Sequence, residues 1–203
     1  LEAAVSSGAL PPVAERLPAV PRVTDVAAMG YEPGRPGGRI IWAAGRERDI
    51  RIMNVYGYAR LVGYDMTFEL QPDILEDFEV EDGRIFTFRL RPGHRWSDGE
   101  PFTTEDFRYW WEDIESNIEL SPYGVDNRLV VEGELPTVEI LDELTIRYSW
   151  SRPNPELLPA IAGATPLYLY APSHYLRQFH VDDLGQKSRG MLICAGAELR
   201  QAA

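Results

Sequence analysis

The side chains here that could do acid–base or metal chemistry near neutral pH are few. His94, His174 and His180 are the only histidines, and none stands in an HExxH or other paired-ligand spacing, although His174 and His180 share one segment. Cys194 is the only cysteine, which excludes an internal disulfide and any cysteine-based zinc site of the usual spacing. A serine nucleophile needs a base and a strained presentation such as G-x-S-x-G, which is absent; Ser173 and His174 are merely neighbours in sequence. Glu112-Asp113 and Asp182-Asp183 could supply paired carboxylates, but consecutive helical residues point in different directions, so both read as solvated charge. Gly34, Gly37 and Gly38 have the wrong spacing for a phosphate-cradling loop, enclose Pro36 and follow no strand. The pattern predicts no reaction centre, no metal and no cofactor, and therefore a protein that is not an enzyme.

Composition narrows the partners. The 203 residues carry a formal net charge of −12 and a pI of about 4.7, with no Lys/Arg-rich run, so nucleic acid is repelled over most of the surface. Hydrophobic residues at 44% and aromatics at 11% are enough to build a core. No run of about 18 apolar residues is present to span a membrane. The start, Leu1 to Val5, is too short for the apolar region of a signal peptide, so an exported protein would already have lost its signal from this chain.

Residues 1–38 are rich in Pro, Gly and Ala and should wrap the surface as an extended segment. Arg39 to Ala44 is a short apolar run expected to be a strand buried on both faces. Between Ile50 and Val62, apolar residues at three- and four-residue steps predict a short helix. Glu81-Asp82-Gly83 signals a turn into Ile85–Arg91, where Phe86, Phe88 and Leu90 alternate with Thr87, Arg89 and Arg91, the pattern of a half-buried strand. Turns at Pro92-Gly93 and Ser97-Asp98-Gly99 follow. Thr103 offers a helix cap, with Glu105 and Asp106 in the first turn, and Phe107, Trp110, Trp111 and Ile114 form one apolar stripe to about Glu115. These tryptophans are expected in the core. A hairpin is predicted from Thr137 to Trp150, turning at Asp142-Glu143. The sum is an α/β (or α+β) fold with mixed strand pairing. From Gly185 to Ala203 no coherent period remains, so residues 39–184 form the expected structured unit and 185–203 an atypical tail.

The stretch from Leu70 to Val80, then Phe86-Thr87-Phe88-Arg89-Leu90-Arg91-Pro92-Gly93-His94-Arg95-Trp96-Ser97-Asp98-Gly99-Glu100-Pro101-Phe102-Thr103-Thr104-Glu105-Asp106, closely resembles the signature of one family. That family is the extracytoplasmic solute-binding proteins of the peptide/nickel (oligopeptide and dipeptide) type. Its pattern reads L-x-P-x-L-A-E-S-W-x-V, then Y-T-F-x-L-R-x-G-V-x-F/W-x-D-G-x-P-F/L-T-A-E-D. Phe78 stands where the family often has Trp, Leu75 and Thr104 where it has Ala, and His94 where it has Val. Tyr64-Asp65 after Leu61-Val62 resembles a preceding L-V-x-Y-D segment, and the likeness runs from about Pro33 to about Asp183.

The resemblance implies a two-lobed periplasmic binding protein of class II, of which these residues form part of the first lobe. It implies reversible capture of peptides or similar small solutes for the membrane permease of an ABC importer, by a monomer in the periplasm or another extracytoplasmic space. Ser121-Pro122-Tyr123 is similar to the position where a tyrosine contacts peptide in the oligopeptide branch; the other role open to Tyr123 is packing after a turn. Arg46-Glu47-Arg48-Asp49 resembles, by its offset, a stretch lining the cleft, where Arg46 or Arg48 would pair with a ligand carboxylate. Two alternatives stand beside this reading: a truncated copy that binds nothing, and an interaction module that holds unfolded segments on an exposed apolar patch.

Overall fold

A computed structural model describes residues 2–8, 11–35, 37–39, 41, 43, 45–46, 49, 59–163 and 167–179. Glu47, Arg48, His180, Cys194, the tail at 185–203 and most of the helix expected between Ile50 and Val62 lie outside the described residues.

The centre is a four-stranded antiparallel sheet. Its strands are β3 (Leu75–Glu81), β4 (Ile85–Leu90), β5 (Thr137–Ile140) and β6 (Thr145–Ser149), in the spatial order β3-β4-β6-β5. The period-two pattern of β4 sends Phe86, Phe88 and Leu90 to one face, where they meet Ile146, Tyr148 and Trp150 from β6 and the strand end beyond it. Register pairs Phe86 with Tyr148 and Phe88 with Ile146, so aromatic and β-branched side chains sit directly across from each other. The opposite face is charged: Arg89 reaches both Asp77 and Glu79 on β3, and Arg147 approaches Glu139 on β5. Thr87 departs from simple alternation, because on this central strand Arg147 covers it and donates Nε to its hydroxyl at 3.3 Å.

Asp82 and Gly83 join β3 to β4, both at positive φ (52° and 65°), as mirror-image hairpin turns require. A small hairpin of β1 (Val62–Tyr64) and β2 (Leu70–Pro72) abuts the sheet, and Leu61 O accepts from Asp73 N and Leu75 N. Val62 is thus strand and not the end of a helix; it is fully buried where α4 (Leu157–Ala162) packs on β1. All pairs among the described strands are antiparallel, in place of the mixed pairing expected. For three of these pairs short connections explain it: hairpin turns link β1 to β2, β3 to β4 and β5 to β6, and a hairpin reverses direction, whereas β4 and β6 are antiparallel across a long connection.

The N-terminal segment forms two short helical turns, α1 (Glu2–Ser6) and α2 (Val13–Arg16), and then runs without regular structure apart from a turn at 26–30. It crosses Gly93 so closely that a side chain there would meet Ala19 N at 2.8 Å, and Arg22 pairs with Asp73 at 2.7 Å. The strand expected between Arg39 and Ala44 is not formed at its described residues: Arg39, Ile41 and Ala43 are irregular, and Ile41 is 81% exposed. Among the described residues no strand pairs with this run, and apolar composition alone does not bury it.

Helix α3 (Thr104–Tyr109) begins at Thr103 with a full capping box. Thr103 Oγ1 accepts from the first turn, and the Asp106 carboxylate reaches back to Thr103 N at 3.1 Å. From Trp110 to Glu115 the helix widens into a π-helical turn. The expected apolar stripe is therefore redistributed: Phe107 and Trp110 are buried, whereas Trp111 and Ile114 are only partly so. A 3-10 turn (Asn127–Leu129) lies beneath Trp150, whose indole N–H donates to Leu129 O at 3.0 Å. Ser173–Leu176 forms α5, followed by a 3-10 turn at Arg177–Phe179.

Candidate functional site

Leaving the π-helical turn at Ser116, the chain forms a loop whose outermost side chain is Tyr123, 94% exposed. Pro122 presets φ at the second position of a β-turn, and Gly124, at φ +83°, closes it by donating its N–H to Ser121 O at 2.9 Å. Ser121 N donates to Asn117 O at 2.7 Å, and Ser121 Oγ reaches back to Ile114 O at 2.9 Å. Beyond the turn, Asp126 N donates to the Glu115 carboxylate at 2.7 Å, and the Asp126 carboxylate takes Arg128 Nε at 2.9 Å and Nη2 at 2.7 Å. The Arg128 bonds hold the Asp126 carboxyl below the ordinary aspartate range, against the opposing effect of burial. Tyr123 is thus a phenol on a braced arm, offering an aromatic face and a hydroxyl that can donate and accept.

The cleft-lining stretch is only partly described. Asp49 is not held ready for a ligand: its carboxylate accepts from Arg46 N at 2.9 Å, while Asp49 N donates to Arg46 O at 2.9 Å, so the two residues close a local turn. Arg46 is exposed. Glu47 and Arg48 lie outside the described residues. Among the described residues no hydrogen bond or ring contact brings Arg46 or Asp49 to Tyr123.

A second polar centre lies at the start of α3, and sequence reasoning noted it only as an acid in the first helical turn. Asp106 is 1% exposed, and its carboxylate accepts from Thr103 N, Trp96 Nε1, Ser173 N and Ser173 Oγ at 2.8–3.1 Å. Its carbonyl also accepts from Ala171 N. Around it Trp96, Phe102, Phe107 and Tyr170 make edge-on and tilted ring contacts at 5.0–6.0 Å. His174 bonds Asp98 at 2.7 Å, which helps hold the Asp98 carboxyl low, and Arg177 pairs with Glu105. Ser173 and His174 therefore address different carboxylates and do not form a nucleophile–base pair. The Thr103-x-x-Asp106 spacing is the signal that could have singled out Asp106 from sequence. Nothing in sequence pointed to Ser173 as its partner.

Comparison with known proteins adds the family. Residues 69–196, more than half of the chain, match the bacterial extracellular solute-binding proteins, family 5 Middle. A periplasmic alpha-galactoside-binding protein of Rhizobium meliloti is 31% identical over 201 residues, covering 87% of this chain and 28% of its own length. Among solved structures, an oligopeptide-binding protein OppA superposes with a TM-score of 0.72 at 31% identity, over 94% of this chain and 29% of that one. The periplasmic binding protein MelB of Agrobacterium fabrum C58, solved in complex with stachyose, gives 0.68 at 25% identity, over 96% of this chain and 32% of that one. The described elements are thus part of a periplasmic-binding-protein fold, and the chain spans less than a third of the length of these relatives.

Proposed function

The chain belongs to the family 5 bacterial extracellular solute-binding proteins, and from that premise we propose that it serves as the solute-capturing component of an ABC importer. The observation that carries this reading is Tyr123, 94% exposed in its Ser-Pro-Tyr turn and braced on both sides. An aromatic held in water by a rigid loop makes no packing contribution to the core, so its value lies in what it meets. Capture is reversible and breaks no bond: main-chain hydrogen bonds hold an extended ligand, hydrated pockets accept varied side chains, and closure of two lobes presents the complex to a membrane permease. The protein acts outside the cytoplasm as a monomer. Arg46 or Arg48 pairs with a ligand carboxylate, while Glu47 and Asp49 border the same stretch.

Peptides are the first ligand class. A second reading, an α-galactoside, is favoured by the galactoside-binding relative, whose match extends over 87% of this chain. Calorimetric titration of the chain with an equimolar pool of tri- and tetrapeptides, and separately with stachyose, tests both. Saturable binding of one, weakened by Tyr123→Ala, supports capture and assigns the class. Failure of both in a chain that unfolds cooperatively favours the truncated, non-binding alternative.

A further inference from the structure

We propose that Ser121 is a positioning residue: by bonding the Ile114 carbonyl at the end of the π-helical turn, it fixes the turn that holds Tyr123 out toward a ligand. The inference rests on the reading of Tyr123 as a ligand contact.

Three observations converge on it. Ser121 is 1% exposed although its second neighbour in sequence is almost wholly in water, and hydrogen bonds engage its hydroxyl, its N–H and its carbonyl together. One residue thereby ties the helix end (Ile114), the loop entrance (Asn117) and the loop exit (Gly124). The helix from which the loop departs is π-helical over Trp110–Glu115, with Ser116 N bonded to Trp111 O at 3.0 Å. Such turns are rare and frequent at functional sites. Here the wide turn ends by placing two acceptors, Ile114 O and the Glu115 carboxylate, on the two flanks of the Tyr123 loop. Tyr123 itself supplies no packing that would account for this bracing. A loop stiffened from both sides around an exposed aromatic is preorganised, which lowers the ordering cost that binding would otherwise carry.

Ser121→Ala, Ser121→Thr, Tyr123→Ala and the Ser121→Ala/Tyr123→Ala double variant of the chain test this, with affinity measured for the tripeptide pool and for stachyose. Hydrogen exchange at the Gly124 amide is followed in parallel. The expected result is that Ser121→Ala speeds exchange at Gly124 and weakens binding about tenfold, the scale of one lost hydrogen bond. Ser121→Thr restores both, and Ser121→Ala has no further effect on binding once Tyr123 is alanine. An equal loss in both backgrounds would show a role that does not pass through Tyr123, and unchanged affinity and exchange in Ser121→Ala would remove the brace; either overturns the proposal. If Tyr123→Ala alone leaves affinity unchanged, the ligand-contact reading fails and the positioning role falls with it. Should neither probe bind, exchange at Gly124 decides: accelerated in Ser121→Ala and recovered in Ser121→Thr, it supports the brace; unchanged, it refutes it.

Discussion

Replacing Asp106 with alanine should be among the most damaging single changes to this chain outside its apolar core. The carboxylate is sealed from water and accepts from Thr103 N, Trp96 Nε1, Ser173 N and Ser173 Oγ. Loss of the capping interaction alone costs about 1 kcal/mol. A buried donor left without an acceptor costs about 1–3 kcal/mol. The two Ser173 donors are buried and bear that cost most fully, whereas water can reach part of the way to Thr103 N and Trp96 Nε1. One cap and two buried donors together amount to about 3–7 kcal/mol. At about 2–4 °C per kcal/mol for a chain of this size, the melting temperature should fall by about 6–28 °C. Asp106→Asn keeps one acceptor oxygen at the same volume but turns an NH2 donor toward the other donors, so it should cost nearly as much as Asp106→Ala. Urea unfolding followed by tryptophan fluorescence suits the measurement, since Trp96 is itself one of the donors. A loss below about 1 kcal/mol for Asp106→Ala, with the Ser173 amide keeping its exchange protection, would refute the view that this carboxylate joins the two segments.

Other substitutions probe strain, burial and charge. Phe68 sits at φ +63° on the β1–β2 loop and is 85% exposed, so Phe68→Gly should relieve about 1–2 kcal/mol of left-handed strain against a smaller entropic cost. The net expectation is a gain of about 0.5–1 kcal/mol in a urea midpoint. The Tyr148 hydroxyl is fully buried with no hydrogen-bond partner among the described residues, and burial pushes its ionisation far above the usual phenol range. Tyr148→Phe should therefore leave thermal stability unchanged or raise it by up to about 1 kcal/mol, and a clear loss would reveal a partner for the hydroxyl. Asp126 is held low chiefly by its bonds to Arg128, so it contributes stability above the ordinary aspartate value of 3.8. That contribution disappears as pH falls through the depressed folded value. Melting temperature against pH should accordingly drop below about pH 4, with a shallower drop in Asp126→Asn.

What could be read directly from the order of residues was what depends on near neighbours. Alternation in Ile85–Leu90 and Thr145–Ser149 predicted strands, and Asp82-Gly83 predicted the turn between β3 and β4. Thr103 as a cap, with acids in the turn that follows, predicted a helix start, because each of these rests on contacts within a few residues. The long run from Leu70 to Asp106 also carried the family, since strand, turn, aromatic and capped helix recur there in one order.

Tertiary structure alone decided the rest. That Asp106 serves Trp96 and Ser173, the latter 67 residues away, depends on where α5 docks, and no local spacing encodes that. Ile41, expected to be buried, is 81% exposed, and among the described residues no strand pairs with its run, which its own apolarity could not reveal. The π-helical register through Trp110 and Trp111 likewise arises from packing, because an apolar stripe at three- and four-residue steps is what an α-helix would show. Tyr123 was legible as a motif, whereas its brace through Ser121 and Glu115 was not. Hydrogen bonds that close a loop over seven or eleven residues form only after the chain has turned back on itself.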